Sequence, residues 1–271
     1  MVAVEGVVVV GPVTLLCVYY AYRLANTGRL YYLLSGLTPD RSPALADSES
    51  VTVEGPVTVD DEAPVSDRAT DEETGEIAMY VWRTAFARSG QRVVDFRNWE
   101  TRRSRATFAS GVESGTFSVA TGNGDVRVDP SWLRDVHDAT QLSDVRPVGL
   151  LPSRTWHVYL WRSPYVHLTS HLVESSLERL RSVIDDDPDV DLSDDYFASK
   201  VVPEGTELTV HGKLSTEDGT PTMAGTDDTP LFVSDRGLDA IRGDLRRRAR
   251  NYGVYLILAS GANALAVLAF L

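Results

Sequence analysis

Apolar positions follow two different patterns along this chain. From Gly6 to Tyr22 (GVVVVGPVTLLCVYYAY) and again from Tyr252 to Leu271 (YGVYLILASGANALAVLAFL) they run on without a charge. Each run is long enough for a helix to cross the roughly 30 Å of a bilayer's hydrocarbon. Between them the pattern alternates. VTVEGPV, Val51 to Val57, and LTVHGKL, Leu208 to Leu214, keep apolar residues at every second position on both sides of a glycine. That is the period of a half-buried strand. Glycine inside such a strand marks a bend or a close backbone approach, so Gly55 and Gly212 are read as structural positions at the two edges of one module.

More strands are predicted over Ile77 to Ala87 (IAMYVWRTAFA), over Trp99 to Ala109 as its pairing partner, and over Thr155 to Leu168, interrupted at Pro164. FSVATGNGDVRV, Phe117 to Val128, reads as a hairpin turning at Asn123-Gly124, which makes Gly124 a third structural glycine. Val173, Leu177, Leu180 and Ile184 fall on one face of a predicted amphipathic helix over Ser170 to Ile184. Ser234 is a predicted N-cap for a helix that starts at Asp235 and continues into the last apolar run. The expected fold is mainly β (α+β): a compact β-barrel-like, OB-like domain with one inserted amphipathic helix, flanked by two transmembrane helices.

The expected organisation is a transmembrane helix (4–25), an interfacial segment and linker (26–49), a β-rich soluble domain (50–234), a basic amphipathic juxtamembrane helix (235–251) and a second transmembrane helix (252–271). Tyr31 and Tyr32 suit the interface, where an aromatic ring stays apolar and its hydroxyl stays wet. A cleaved signal fits the N-terminus poorly, since Glu5 stands where basic residues belong. Arg23, Arg29 and Arg41 follow the first run, and Arg242, Arg246, Arg247, Arg248 and Arg250 precede the second. This bias predicts a cell-membrane protein of two spans with its body in the cytoplasm and both termini outside. Arg246, Arg247, Arg248 and Arg250 are placed at the lipid headgroups. In the last run Asn263, with Ala262 and Ala266 at small-residue spacing, predicts helix pairing, including a homo-oligomer through the spans.

Charge changes the picture of the solvent more than of the partner. The chain carries 25 Asp and 14 Glu for a net charge of -13, with 24 Arg and only Lys200 and Lys213 as lysines. Short, strongly hydrated Asp in place of Lys is a surface for concentrated salt, and implies an extremely halophilic, archaeal source. No basic stripe interleaved with aromatics is read, so nucleic acid is not an expected partner; the lipid bilayer and an unknown protein are.

Candidate chemistry is sparse. Cys17 is the only cysteine, which rules out an intramolecular disulfide and a multi-cysteine zinc site. His167, His171 and Glu174 have the residue types of a metal site, but His167 ends a strand pattern and a solvated junction competes with that reading. Asp185 to Asp195 (DDDPDVDLSDD) resembles a calcium loop, yet Val190 stands where the sharp turn needs glycine. No serine lies in a nucleophile elbow. No catalytic residue and no cofactor are assigned.

The order of motifs resembles the MULAN/GIDE family of membrane-anchored ubiquitin ligases. The residues that carry the likeness are Val53, Gly55 and Val57; Phe117, Val119, Gly124, Val126 and Val128; Val202-Pro203-Glu204-Gly205 leading to Val210 and Gly212; and Pro230-Leu231-Phe232-Val233-Ser234. The resemblance implies a membrane-flanked GIDE domain. It also implies a RING-type ubiquitin transferase, but a RING needs eight Cys or His ligands and one cysteine cannot supply them. The expected function is therefore a membrane-anchored binding or scaffolding module without its own RING. A ubiquitin-ligase-like factor working with a catalytic partner, and a membrane organiser acting through helix pairing, are the alternatives.

Overall fold

In a computed structural model, residues 2–40, 46–69, 75–95, 100–137, 139–145, 160–184, 192, 195–216 and 219–270 are described. They fall into two units, one of residues 39–237 and one that joins residues 1–38 to residues 238–271.

The larger unit is mainly β. Its chain runs through β1 (Ser48–Asp61), α2 (Ser66–Ala69, numbered after the N-terminal helix), β2 (Ile77–Asp95), β3 (Glu100–Ser114), β4 (Thr116–Thr121) and β5 (Gly124–Asp129). It continues through α3 (Ser131–His137), β6 (Val166–His167), β7 (Leu172–Ser176), β8 (Tyr196–Pro203), β9 (Glu207–Ser215), β10 (Thr222–Ala224) and β11 (Phe232–Ser234). Strands β1, β4, β5, β10 and β9 pair in that order, and β9 pairs back onto β1, closing a five-stranded barrel. Within the ring only β5 and β10 run parallel. This fits an OB-like barrel coarsely. Beyond it β11 pairs with β9, and β6 with β11.

The two long connections of the barrel build a second sheet, β3-β2-β8-β7, antiparallel throughout. Alternation along β2 divides the core. Met79 and Val81 join Val53, Phe117, Val119 and Val210 inside the barrel cluster. Tyr80 and Trp82 point the other way, into a cluster with Leu142, Val173, Leu177, Leu180, Ile184 and Phe197.

The doubled phrase is the seam where the barrel closes. Val53 faces Val210, Gly55 faces Leu208, and Val51 faces Gly212 across β1 and β9. The two segments are therefore adjacent strands, which corrects their reading as two edges: a closed ring pairs its first strand with one near its end. A Cβ on Gly55 would lie 1.9 Å from the Ala120 carbonyl oxygen, and one on Gly212 would lie 2.7 Å from that of Ala224. The β4–β5 hairpin turns at Gly122-Asn123, one residue earlier than expected. Thr121 pairs with Gly124, whose φ of 133° lies in the region that favours glycine.

The predicted amphipathic helix over Ser170 to Ile184 is instead β7 followed by a 3₁₀ turn, Leu177–Leu180. Val173, Leu177, Leu180 and Ile184 are all buried, so the spacing reported burial correctly and helicity wrongly. The Ser176 side chain accepts the Glu178 N–H, and serine competing for local backbone groups favours such a break. The Asp185–Asp195 run lies mostly outside the described residues, and residues 155–159 of the predicted strand before Pro164 lie wholly outside them.

The smaller unit consists of α1 (Val2–Ser35) and α4 (Gly237–Phe270), each of 34 residues, about 50 Å long. α1 runs unbroken through Leu30 to Ser35, so the expected interfacial segment is helix there. α4 fuses the expected juxtamembrane and final helices, and starts at Gly237 rather than Asp235 because Ser234 ends β11 and its Oγ accepts the Arg236 N–H. Among the described residues one helix, Gly237–Leu268, is long and apolar enough to cross a membrane, where two were expected.

The helices pair antiparallel. Thr14 Oγ1 donates to Asn263 Oδ1 at 3.2 Å, Ser260 Oγ to Cys17 Sγ at 3.9 Å, and Arg23 to the Tyr252 hydroxyl at 2.9 Å. Tyr20 and Tyr255 rings meet at 5.4 Å. At the far end Arg242 Nε donates to the Leu34 carbonyl at 2.9 Å, and its guanidinium also reaches the Leu37 carbonyl. The Leu34 carbonyl lies in the last turn of α1, where a cation also meets the negative end of the helix dipole.

Candidate functional site

Polar and aromatic chemistry in the larger unit gathers on one short segment, the 3₁₀ turn Leu160–Arg162 and the strand β6 that follows it. Leu160 is buried in the barrel cluster, and anchors the turn. Trp161 is then fixed through both backbone groups. Its N–H donates to Ser110 Oγ at 3.4 Å, and its carbonyl accepts from Lys200 Nζ at 3.2 Å.

Two cations approach the same indole. The Arg83 guanidinium carbon is 4.7 Å from the ring centroid and the Lys200 ammonium 4.6 Å, within the range of a cation–π contact. They come from neighbouring strands: Val81 faces Lys200, and Arg83 faces Ala198. Arg83 and Lys200 therefore share one face of the sheet as diagonal neighbours. Burial, and after it the positive charge of Arg83, push the Lys200 ammonium below the usual lysine range, while Asp235 pulls the other way. Asp235 is itself engaged. Its Oδ2 accepts the N–H groups of Thr169 and Ser170 at 2.7 and 2.6 Å, whereas its buried Oδ1 makes no hydrogen bond.

Two residues along, Ser163 Oγ and His137 Nε2 lie 2.8 Å apart, and Ser163 Oγ accepts the Tyr165 N–H at 3.1 Å. The Ser163 oxygen thus accepts from the backbone and shares a hydrogen bond with the imidazole. A serine beside a histidine is the beginning of a nucleophile and base pair, but Ser163 and His137 are only 6% and 7% exposed. At that burial the pair satisfies itself. Tyr165 packs edge-on against Trp132 at 5.4 Å and completes the aromatic wall.

Two buried ionisable groups lie elsewhere. Glu113 accepts the Leu142 N–H at 2.8 Å, and burial raises its carboxyl above the usual range despite that bond and nearby Arg134. His211 sits on the barrel seam with Nδ1 at 2.9 Å from Thr52 Oγ1, and burial lowers its imidazole.

The residues singled out in the sequence are spread across the fold. His167 ends β6, with Nε2 2.9 Å from the Pro164 carbonyl oxygen and its ring against Phe232. His171 precedes β7 and its carbonyl accepts the Val201 N–H. Glu174 is exposed on β7 opposite Ala198. β6 and β7 belong to different sheets, and among the described residues no three His, Cys, Asp or Glu side chains gather as metal ligands. Asn263 bonds Thr14 of the same chain; Ala266 is half-buried, whereas Ala262 faces outward. Arg246, Arg248 and Arg250 are exposed on α4, and Arg247 pairs with Asp244 at 2.6 Å.

The Arg83–Trp161–Lys200 group was not singled out from the sequence. A usable signal was there: one of only two lysines stands in ASKVV, in the middle of an apolar strand where lysine rarely lies unless something engages it. No family model, curated protein or solved structure matches the chain.

Proposed function

We propose that this chain is a membrane-anchored binding or scaffolding module, of the kind implied by its resemblance to the GIDE domain. The carrying observation is a closed barrel whose first strand follows one long helix in the chain and whose last paired strand precedes another, with the two helices pairing antiparallel. In this reading α1 joins α4 as a second span, and the β unit lies on the cytoplasmic side, as the arginine bias favours. The motif glycines Gly55 and Gly212 support the resemblance, since both lie where the barrel closes.

The function is recruitment rather than chemistry. A small β module joined in the chain to a helix that can cross a membrane is suited to hold a partner there, and fold alone does not specify which one. Because Asn263 already bonds Thr14 within the chain, the helix pairing serves closure of one molecule. Purification of the full chain from native membranes in high salt is the test. Reproducible co-purification of one partner is expected; recovery of the protein alone in repeated preparations would contradict the reading.

A further inference from the structure

Arg23 and Tyr252 meet where two uncharged runs end. Thr14 bonds Asn263, Tyr20 packs on Tyr255 and Arg23 bonds Tyr252, so α1 and α4 keep one antiparallel register over this stretch. The run that closes at Tyr22 in α1 and the run that opens at Tyr252 in α4 therefore stop at the same level along the pair. The Arg23 guanidinium carbon lies 5.3 Å from the Tyr252 ring centroid and 6.0 Å from that of Tyr19, which steadies the cation against two rings. A guanidinium has five N–H donors, and Nη2 gives one to the Tyr252 hydroxyl at 2.9 Å. That hydroxyl accepts from Arg23 and keeps its own proton to donate. Among the described residues no Asp or Glu pairs with Arg23, and α1 carries no acid after Glu5. The acids of α4, Asp239 and Asp244, pair with Arg242 and Arg247. Arg248, exposed one turn before Tyr252, shares its side of α4, as residues at i and i+4 do.

We propose that the Arg23 guanidinium and the Tyr252 hydroxyl form a receptor for the phosphate of an anionic lipid headgroup, with Arg248 adding a second positive charge. The fork of a guanidinium matches phosphate oxygens, and charge-assisted bonds of this kind are the strong ones. The site rests on the reading that α1 and α4 both span the membrane, in which the shared end of their uncharged runs is the headgroup level. Tyrosines whose rings stay apolar and whose hydroxyls stay wet belong at that level. Two cations one turn apart repel a headgroup that carries its own ammonium, so the site selects a net anionic lipid over a zwitterionic one.

The full chain is reconstituted in nanodiscs of phosphatidylcholine with a minor fraction of phosphatidylglycerol and extracted gently, and the lipids it retains are counted by native mass spectrometry. Phosphatidylglycerol is expected to be retained well above its share of the bilayer. Arg23→Gln is expected to lower that enrichment about tenfold, as loss of a hydrogen bond to a charged group does. Tyr252→Phe, which keeps the ring, is expected to lower it by less, and Arg29→Gln, at an exposed position farther along α1, to leave it unchanged. Retention of the two lipids in proportion to their supply overturns the proposal with no variant needed, as does an equal loss in Arg29→Gln. Displacement of the retained lipid by inorganic phosphate would assign the site to free phosphate and overturn the lipid source. A chain that fails to enter the nanodiscs removes the membrane-anchored reading together with this site, whereas one that enters and selects no lipid removes the site alone.

Discussion

The β1–β9 seam assigns distinct roles to single residues. A methyl group on Gly55 would fall 1.9 Å from a backbone oxygen of β4, which flexible side chains cannot relieve. Gly55→Ala is expected to destabilise the fold by about 2 to 3 kcal/mol, as overpacking in a closed core does. Gly243, inside α4 with nothing within 4 Å of an added Cβ, is expected to behave oppositely, Gly243→Ala stabilising by up to about 1 kcal/mol through helix propensity. Denaturant unfolding of both variants checks the contrast. On the same seam, burial holds His211 below its ordinary value of 6.5. The unfolded chain therefore binds the proton more readily, so the stability contributed by neutral His211 is present above pH 6.5 and is lost as pH falls through its lowered folded value. Glu113 acts in the opposite sense. Its raised value means that the stability it contributes is full below 4.5 and is lost as pH rises through the folded value. His211→Gln should flatten the stability profile below pH 6.5, and Glu113→Gln should flatten it from about 4.5 upward, as read by thermal unfolding across pH.

Elements were legible in the sequence to the extent that one physical signal determined them. The alternation in VTVEGPV and LTVHGKL identified β1 and β9, and Ile77 to Ala87 began β2, because a period of two arises from little else than a half-buried strand. A barrel-like module was expected and a closed five-stranded barrel is observed, but which strands close it was not readable, since that depends on pairings between residues far apart in the chain. The 170–184 region failed for a different reason. Val173, Leu177, Leu180 and Ile184 satisfy the spacing of a helix face and also that of a strand residue followed by turns, and the serines at 175 and 176 settle it locally. The cation pair on Trp161 was hidden because Arg83, Trp161 and Lys200 come together only through the β2–β8 register and the preceding turn. At this scale the α1–α4 hairpin gives the sharpest prediction. Removing the Thr14–Asn263 bond with Asn263→Leu should weaken helix pairing by about 0.6 kcal/mol, the average for such bonds between membrane helices. A double-mutant cycle with Thr14→Val reads that coupling, and additive effects would exclude it.

Taken whole, the molecule combines a closed β unit with a pair of helices, one of which has the length and apolarity of a span. Its net charge of -13 contrasts with the exposed arginines Arg246, Arg248 and Arg250 on α4, which lie just before the uncharged run. At an anionic membrane face each contributes about 1 kcal/mol, and at the opposite face that gain is absent. Orientation is thus the claim on which the proposed function depends. The most direct measurement starts from a cysteine-free chain, Cys17→Ser, with one new cysteine at Asp228, which is exposed in the turn before β11. Intact cells are treated with a membrane-impermeant maleimide before and after permeabilisation. The account predicts that the protein fractionates with membranes and is labelled only after permeabilisation, whereas labelling in intact cells, or recovery in the soluble fraction, would contradict it.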